Sequence, residues 1–221
     1  SKLDSSGNYV WAKSFGGTGS DVGYSVAVDS SGNVYTTGTF NDTVDFNPDP
    51  DPSATANLTS NGDNDAFVSK LDSSGNYVWA RSFGGTHIDV GFSVAVDSSG
   101  NVYTTGSFEG TVDFDPGAGT ANLTSNGSYD VFVSKLDSSG NYVWTKQFGG
   151  TEYSRGYSVA VDSSGNVYTT GDFQGTFDFD PGAGTANLTA NDGTDVFVSK
   201  LDSSGNHLWA KSWGGGVGGG V

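Results

Sequence analysis

The chain has 221 residues, 35 of them Gly and none Cys or Met, and 25 acidic against 9 basic residues leave a formal net charge of −16. That charge repels a phosphate backbone and an anionic bilayer surface, which argues against nucleic-acid partners and membrane attachment, and without Cys there are no disulfides, thiolate metal sites or Cys nucleophiles. No apolar run approaches the ~20 residues of a membrane span, so no membrane insertion is expected. Of the acids only Glu109 and Glu152 are Glu; the rest are Asp, and with abundant Gly, Val, Thr, Tyr and Phe this favours turns and strands over helices.

The octapeptide SKLDSSGN opens the chain at Ser1 and returns at Ser69, Ser134 and Ser199. Between its copies lies a related module, GYSVAVDSSGNVYTTG at Gly23 and Gly156 and GFSVAVDSSGNVYTTG at Gly91, so DSSGN occurs seven times. A period of this size signals a repeat architecture. In DSSGN the Asp can accept hydrogen bonds from the amides that follow it, the two Ser continue a type I turn, and Gly supplies a positive φ, so each copy predicts a hairpin.

Taken in order, residues 1–20 hold only the third and fourth strands of a repeat, a half-blade. Residues 21–88, 89–153 and 154–213 are three full units, and 214–221 is a Gly-rich tail of low complexity. In the second unit the predicted strands are Ser93 to Asp97, Asn101 to Phe108, Asp130 to Asp137 and Asn141 to Phe148. The loop between the second and third, about 20 residues long, carries the weakly strand-like TVDFD and ANLTS. The strands are apolar on both faces: Tyr142, Trp144 and Phe148 oppose Val143, while Val94 and Val96 oppose Ser93 and Ala95. Four antiparallel strands with two apolar faces are what a β-propeller blade needs, sandwiched as it is between neighbours. A β-solenoid would show a shorter period and a row of sandwiches longer linkers. The expected fold is therefore all-β, about three and a half propeller blades, incomplete on its own.

GYSVAVDSSGNVYTTG, the insert FEGTVDFDPGAGTANLTSNG and DVFVSKLDSSGNYVWTKQFGG together resemble the bacterial tandem β-propeller repeats known as SBBP repeats. The resemblance covers nearly the whole chain and implies an extracellular or cell-surface protein of many tandem blades. It brings no catalytic motif.

The insert loop is the richest chemical feature. Asp113 and Asp115, Asp178 and Asp180, and Asp45 with Asn47 stand two apart, followed by Pro-containing turns, a spacing that could supply some of the six to eight oxygen ligands of Ca²⁺. The competing reading has these side chains capping turns. Asp21 and Asp89 lie in the linkers between units, where Ser154 replaces them in the third copy, and hydrogen bonding to the GGT turn is the simpler role. His87, Ile88, Glu152, Tyr153 and Arg155 are confined to these linkers, which marks them as the place for a unit-specific contact. Asn57, Asn122 and Asn187 open Asn-Leu-Thr sequons, expected at strand edges and open to glycosylation. Lys2, Lys70, Lys135 and Lys200 in the third strand and Lys13, Arg81, Lys146 and Lys211 in the fourth fall in register, read as protection of outer strands against edge pairing together with ion pairs to Asp.

Two non-equivalent His and no G-x-S-x-G, H-E-x-x-H or Walker sequence leave triads, zinc hydrolysis and phosphoryl transfer without their parts, so an enzyme is not expected. The reading is a structural assembly module, a subunit of a filament or larger surface protein; the alternative is a carbohydrate-binding propeller assisted by Ca²⁺, with Asp113 and Asp178 among its contacts. Partners are then copies of itself, further blades of a longer chain, or a carbohydrate. The half-blade is expected to leave an uncovered edge at Trp11 and Phe15 and to seek such a partner. Its first residue falls inside the third strand, so the array reads as continuing beyond it.

Overall fold

The structure, a computed structural model, describes residues 1–51 and 53–215; the residues of the tail from 216 onward lie outside it. Lys2–Leu3 (β1) and Tyr9–Trp11 (β2) pair as the half-blade. Blade 1 consists of Val22–Val28 (β3), Val34–Phe40 (β4), the insert strands Thr43–Asp45 (β5) and Asn57–Thr59 (β6), then Asp65–Leu71 (β7) and Tyr77–Phe83 (β8). Blade 2 repeats this with Val90–Val96 (β9), Val102–Phe108 (β10), Thr111–Asp113 (β11), Asn122–Thr124 (β12), Asp130–Leu136 (β13) and Tyr142–Phe148 (β14). In blade 3, Ser154–Val161 (β15) and His207–Trp213 (β18) flank Val167–Asp178 (β16) and Asn187–Leu201 (β17), two long strands that absorb the insert hairpin. Each blade is a 4-stranded antiparallel meander in sequence order. The predicted strands are all present, and the first begins earlier than predicted, at Val90 in blade 2.

The DSSGN turns form as their chemistry requires. Asp97 accepts the amides of Ser99 and Asn101, each at 2.9 Å, and Gly100 donates to the Asp97 carbonyl at 3.0 Å with φ at 80°. The insert hairpin has a second role on its apolar side. Val44 and Phe46, Val112 and Phe114, and Phe177 and Phe179 are buried, and each hairpin wedges against the last strand of the preceding unit. Phe15 packs on Phe46 with centroids 5.2 Å apart, Phe83 on Phe114 at 5.8 Å and Phe148 on Phe179 at 5.9 Å. Backbone bridges Gly16 to Asp45, Gly84 to Asp113 and Gly149 to Asp178 fasten the same boundary.

The outer part of each boundary is polar and repeats three times. Trp11, Trp79 and Trp144 donate their Nε1–H to the carbonyls of Ser73, Ser138 and Ser203, at 3.3, 3.2 and 3.3 Å. Lys2, Lys70 and Lys135 donate Nζ to the same three carbonyls, at 2.9, 3.2 and 3.3 Å. Each carbonyl belongs to the DSSGN turn of the next blade. The third-strand Lys also lies over an aromatic face, Lys70 Nζ at 5.1 Å from the Tyr35 centroid and Lys135 Nζ at 5.1 Å from that of Tyr103. These lysines tether one blade to the next; in each full blade the third strand is interior to its sheet, and the outer edge is the fourth strand, which carries Arg81, Lys146 and Lys211. Trp11 and Phe15 likewise differ from expectation: both turn toward blade 1, and the exposed large apolar side chains of the half-blade are Leu3, Tyr9 and Val10.

The outer-turn glycine does two jobs. Gly140 sits at φ 78°, and a Cβ there would lie 3.0 Å from the Trp79 ring. Gly140→Ala should therefore lower the unfolding free energy by at least ~1–2 kcal/mol, the ordinary cost of a left-handed conformation in an L-residue, with displacement of Trp79 added. Urea titration followed by Trp fluorescence measures it, and an unchanged midpoint would contradict this account of the turn.

Candidate functional site

The insert carboxylates are held by their own loops. Asp113 accepts the amides of Asp115 at 3.0 Å and Ala121 at 2.8 Å, and Asp115 that of Gly117 at 2.8 Å. Asp178 and Asp180 repeat this with Asp180, Ala186 and Gly182. In the longer first insert, Asp45 accepts from Asn47 and Ala56, and Asn47 accepts from Asp49 while its amide donates to the Ala54 carbonyl. Carboxylates two apart in sequence thus cap successive turns. Among the described residues, no group of three or more His, Cys, Asp or Glu is placed to hold a metal ion. In the recess of about 250 Å³ beside Asp115, the Arg81 guanidinium is likewise engaged by backbone, its Nε donating to Gly140 O at 2.9 Å.

Asn57 and Asn122 are exposed on the small insert strands β6 and β12, and Asn187 is exposed at the start of the long β17. The Thr of each sequon is paired across the hairpin: Thr59 with Thr43, Thr124 with Thr111 and Thr189 with Thr176, hydroxyl to hydroxyl at 2.8, 2.8 and 2.9 Å.

Buried carboxylates form a separate group. Asp89 caps the GG turn as its position suggests, accepting Gly85 N at 2.8 Å and Glu109 N at 3.2 Å, and burial, opposed by those amides, pushes it up to about 7. Asp65 opens β7, fully buried against Gly84, where a Cβ would come 2.0 Å from its Cγ. It accepts Asn61 N through Oδ2, its Oδ1 has no partner among the described residues, and burial pushes it up to about 6. Asp130 repeats the arrangement in blade 2 and is also raised by burial.

The inner edge of the fan holds what sequence reasoning missed. First strands of successive blades lie side by side, Ser25 Oγ accepting Val94 N at 3.4 Å and Ser93 Oγ accepting Val159 N at 3.2 Å. In each first strand one residue has no partner in the ladder: the pairing steps from Gly23 to Ser25, from Gly91 to Ser93 and from Gly156 to Ser158. The residues passed over are Tyr24, Phe92 and Tyr157, each at a β-bulge that re-aims its side chain. Their rings form a ladder, with centroids 5.4 Å apart at both steps. The signal lay in Gly facing Gly across the first two strands, since a Cβ on Gly106 would meet the Val90 carbonyl at 1.8 Å.

Beside Tyr157 the structure gathers residues that differ between units. The Arg155 guanidinium lies 4.6 Å from the Tyr153 ring centroid, Tyr153 packs edge-on against Tyr129 at 6.1 Å, and Tyr157 Oη donates to Asp172 at 3.4 Å. Burial, partly offset by the Arg155 charge, pushes the Tyr153 hydroxyl up to about 12, so it stays protonated at neutral pH. Of the linker residues singled out by sequence, Tyr153 and Arg155 meet here. Ile88 is exposed, and His87 lies over Gly110.

These meandering blades, fastened by the same contacts at each boundary, define a tandem β-propeller repeat module. The SBBP beta-propeller repeat matches the chain three times, at residues 10–41, 78–107 and 143–172, which supports its likeness to the SBBP-type tandem repeats. Each match starts in the fourth strand of one unit and ends in or just after the second strand of the next, so the recurring unit spans a blade boundary. The chain is 28% identical over 232 residues to an uncharacterized WD repeat-containing protein of Acanthamoeba polyphaga mimivirus, covering 93% of this chain and 16% of the relative. It is 29% identical over 204 residues to the regulatory protein FlaEY of Caulobacter vibrioides, covering 90% of this chain and 20% of the relative. It therefore spans a fifth or less of either relative's length.

The two groups of aspartates give opposite pH dependences. In Asp65 and Asp89 burial lifts the folded pKa to about 6 and about 7, so their contribution is complete below about pH 4 and is lost as pH rises through those values, and Asp130, also raised by burial, acts in the same direction. Turn aspartates run the other way: the Asn166 side-chain amide leads in lowering Asp162 to about 2, a contribution present above about pH 4 and lost as pH falls through that value. The melting temperature should fall as pH rises from about 4 to about 7, and Asp65→Asn with Asp130→Asn should lessen that slope. Calorimetry at constant ionic strength checks both.

Proposed function

We propose that this module is a non-catalytic extracellular scaffold that assembles head to tail, each copy presenting the outer face of its third blade to the half-blade of the next. The observation that carries this is a complete but unoccupied set of boundary donors. Lys200 and Trp209 correspond to Lys70 and Trp79, and Trp213 to Phe83, yet no next-blade carbonyl or insert Phe meets them among the described residues. Trp209 is 38% exposed and Trp213 59%. Lys200 already rests over Tyr168 at 4.9 Å, the pose its counterparts hold at occupied boundaries.

The half-blade offers the matching acceptor. Its Asp4–Asn8 turn has the geometry of Asp72–Asn76, with Ser5 where Ser73 receives Lys2 and Trp11. A contact of this kind is heterologous, so repetition yields a ring or a filament. The extracellular placement rests on the family resemblance, and a WD-repeat name for one relative agrees with a propeller scaffold.

Size-exclusion chromatography with light scattering should show concentration-dependent species larger than the 22.7 kDa chain. Trp209→Ala combined with Trp213→Ser should return the protein to a monomer with its melting temperature kept, since both side chains are exposed. A wild-type chain that stays monomeric at every concentration would overturn the proposal.

A further inference from the structure

We propose that the bulged rings of Tyr24, Phe92 and Tyr157, with Arg155 and Asp172 at one end, bind a neutral oligosaccharide along the inner edge of the blades. The proposal is independent of head-to-tail assembly, which uses the opposite, outer edge of blade 3.

Three observations carry it. First, the rings are presented rather than packed. Tyr24 is 49% and Tyr157 43% exposed, and Phe92, with a ring on either side, is still only partly buried, whereas Val94 two residues on in the same strand is buried. A bulge at the same place in three successive strands keeps the aromatic out of the sheet ladder each time. Second, the rings run as a row with equal 5.4 Å steps, which suits a chain of linked rings better than one compact ligand. Aromatic faces attract the C–H faces of pyranose rings, and the flanking Tyr hydroxyls, Ser158, Arg155 and Asp172 supply donors and acceptors for sugar hydroxyls. Third, the charge balance selects a neutral ligand. The net charge of −16 disfavours polyanions, while Arg155, set against Asp172, disfavours a cation at the polar end.

The polar end is also singular. Tyr153, Arg155 and Asp172 stand where blade 2 has Ile88, Val90 and Ser107, so the row has a distinct terminus and a ligand running along it has a direction.

The test is isothermal titration of the full chain with cellohexaose and maltohexaose, and with polygalacturonate and chitosan oligomers as charged controls. Saturable binding of a neutral hexamer is expected, weakened about tenfold by Tyr157→Ala and about tenfold by Tyr24→Ala, as loss of one aromatic contact implies. Trp209→Ala with Trp213→Ser should leave it unchanged, which separates this site from the assembly face. Tyr24 lies on the exposed first strand of blade 1, so its variant carries the test if Tyr157→Ala fails to fold. Absence of saturable binding to both neutral hexamers would overturn the proposal, as would preference for a charged control or binding that survives both Tyr replacements.

Discussion

A four-stranded blade with two apolar faces cannot cover both of them itself, and every recurring contact in this protein answers that constraint. The outer half of the answer is a hydrogen bond from one blade's Trp to a carbonyl in the next blade's turn, joined by a Lys ammonium on the same oxygen. A buried indole N–H needs a partner, and a turn carbonyl is an acceptor whose position depends on backbone geometry alone. The five-residue turn that closes a hairpin within one blade is therefore also the receptor for its neighbour. The glycine that lets the turn form leaves the flat surface on which the Trp ring rests.

The same economy governs the carboxylates. Asp in the turns and inserts accepts backbone amides, which holds loops rich in Gly and Ser in one conformation without burying much apolar surface. Asp65 and Asp130, at the start of the third strand, are buried instead, and each keeps one oxygen without a partner among the described residues, a state favoured when the carboxyl is protonated. One residue type thus both fixes the loops and makes the blade boundaries sensitive to pH, and burial decides between the two.

Strands and turns were legible because their determinants are local: period-two apolar runs, DSSGN and the paired glycines each act within a few residues. Even the insert hairpin could be read from TVDFD and ANLTS. The boundaries were not legible, since their acceptors are main-chain carbonyls: Trp79 meets one 59 residues away, and no side-chain pattern marks it. Trp11 and Phe15 looked like an uncovered edge for that reason. Lys70 looked like a charge placed to prevent pairing, although a Tyr ring and a carbonyl of the next blade hold it. The bulged aromatics were hidden differently. Tyr24 continues the alternation of Val22, Val26 and Val28, so the sequence shows a regular strand where the backbone inserts an extra residue.

Near-identical repeats carry a hazard, because a blade docks on any copy of the same surface and neighbours can exchange partners. The blades here escape full equivalence at the inner edge. Ser154 donates both its amide and its hydroxyl to the Tyr129 carbonyl, at 3.0 and 3.1 Å, and Tyr129 packs on Tyr153. At the preceding boundary Asp89 N meets Asn64 O at 2.7 Å, without a pair of rings beside it. Exchanging blades between these two boundaries would part Tyr129 from Tyr153 and leave the buried Asp89 beside a partner evolved for Ser154. The positions that break the repeat thus supply what the repeated ones lack, a preference for one order of blades, and they do so where the rings of the inner edge are presented.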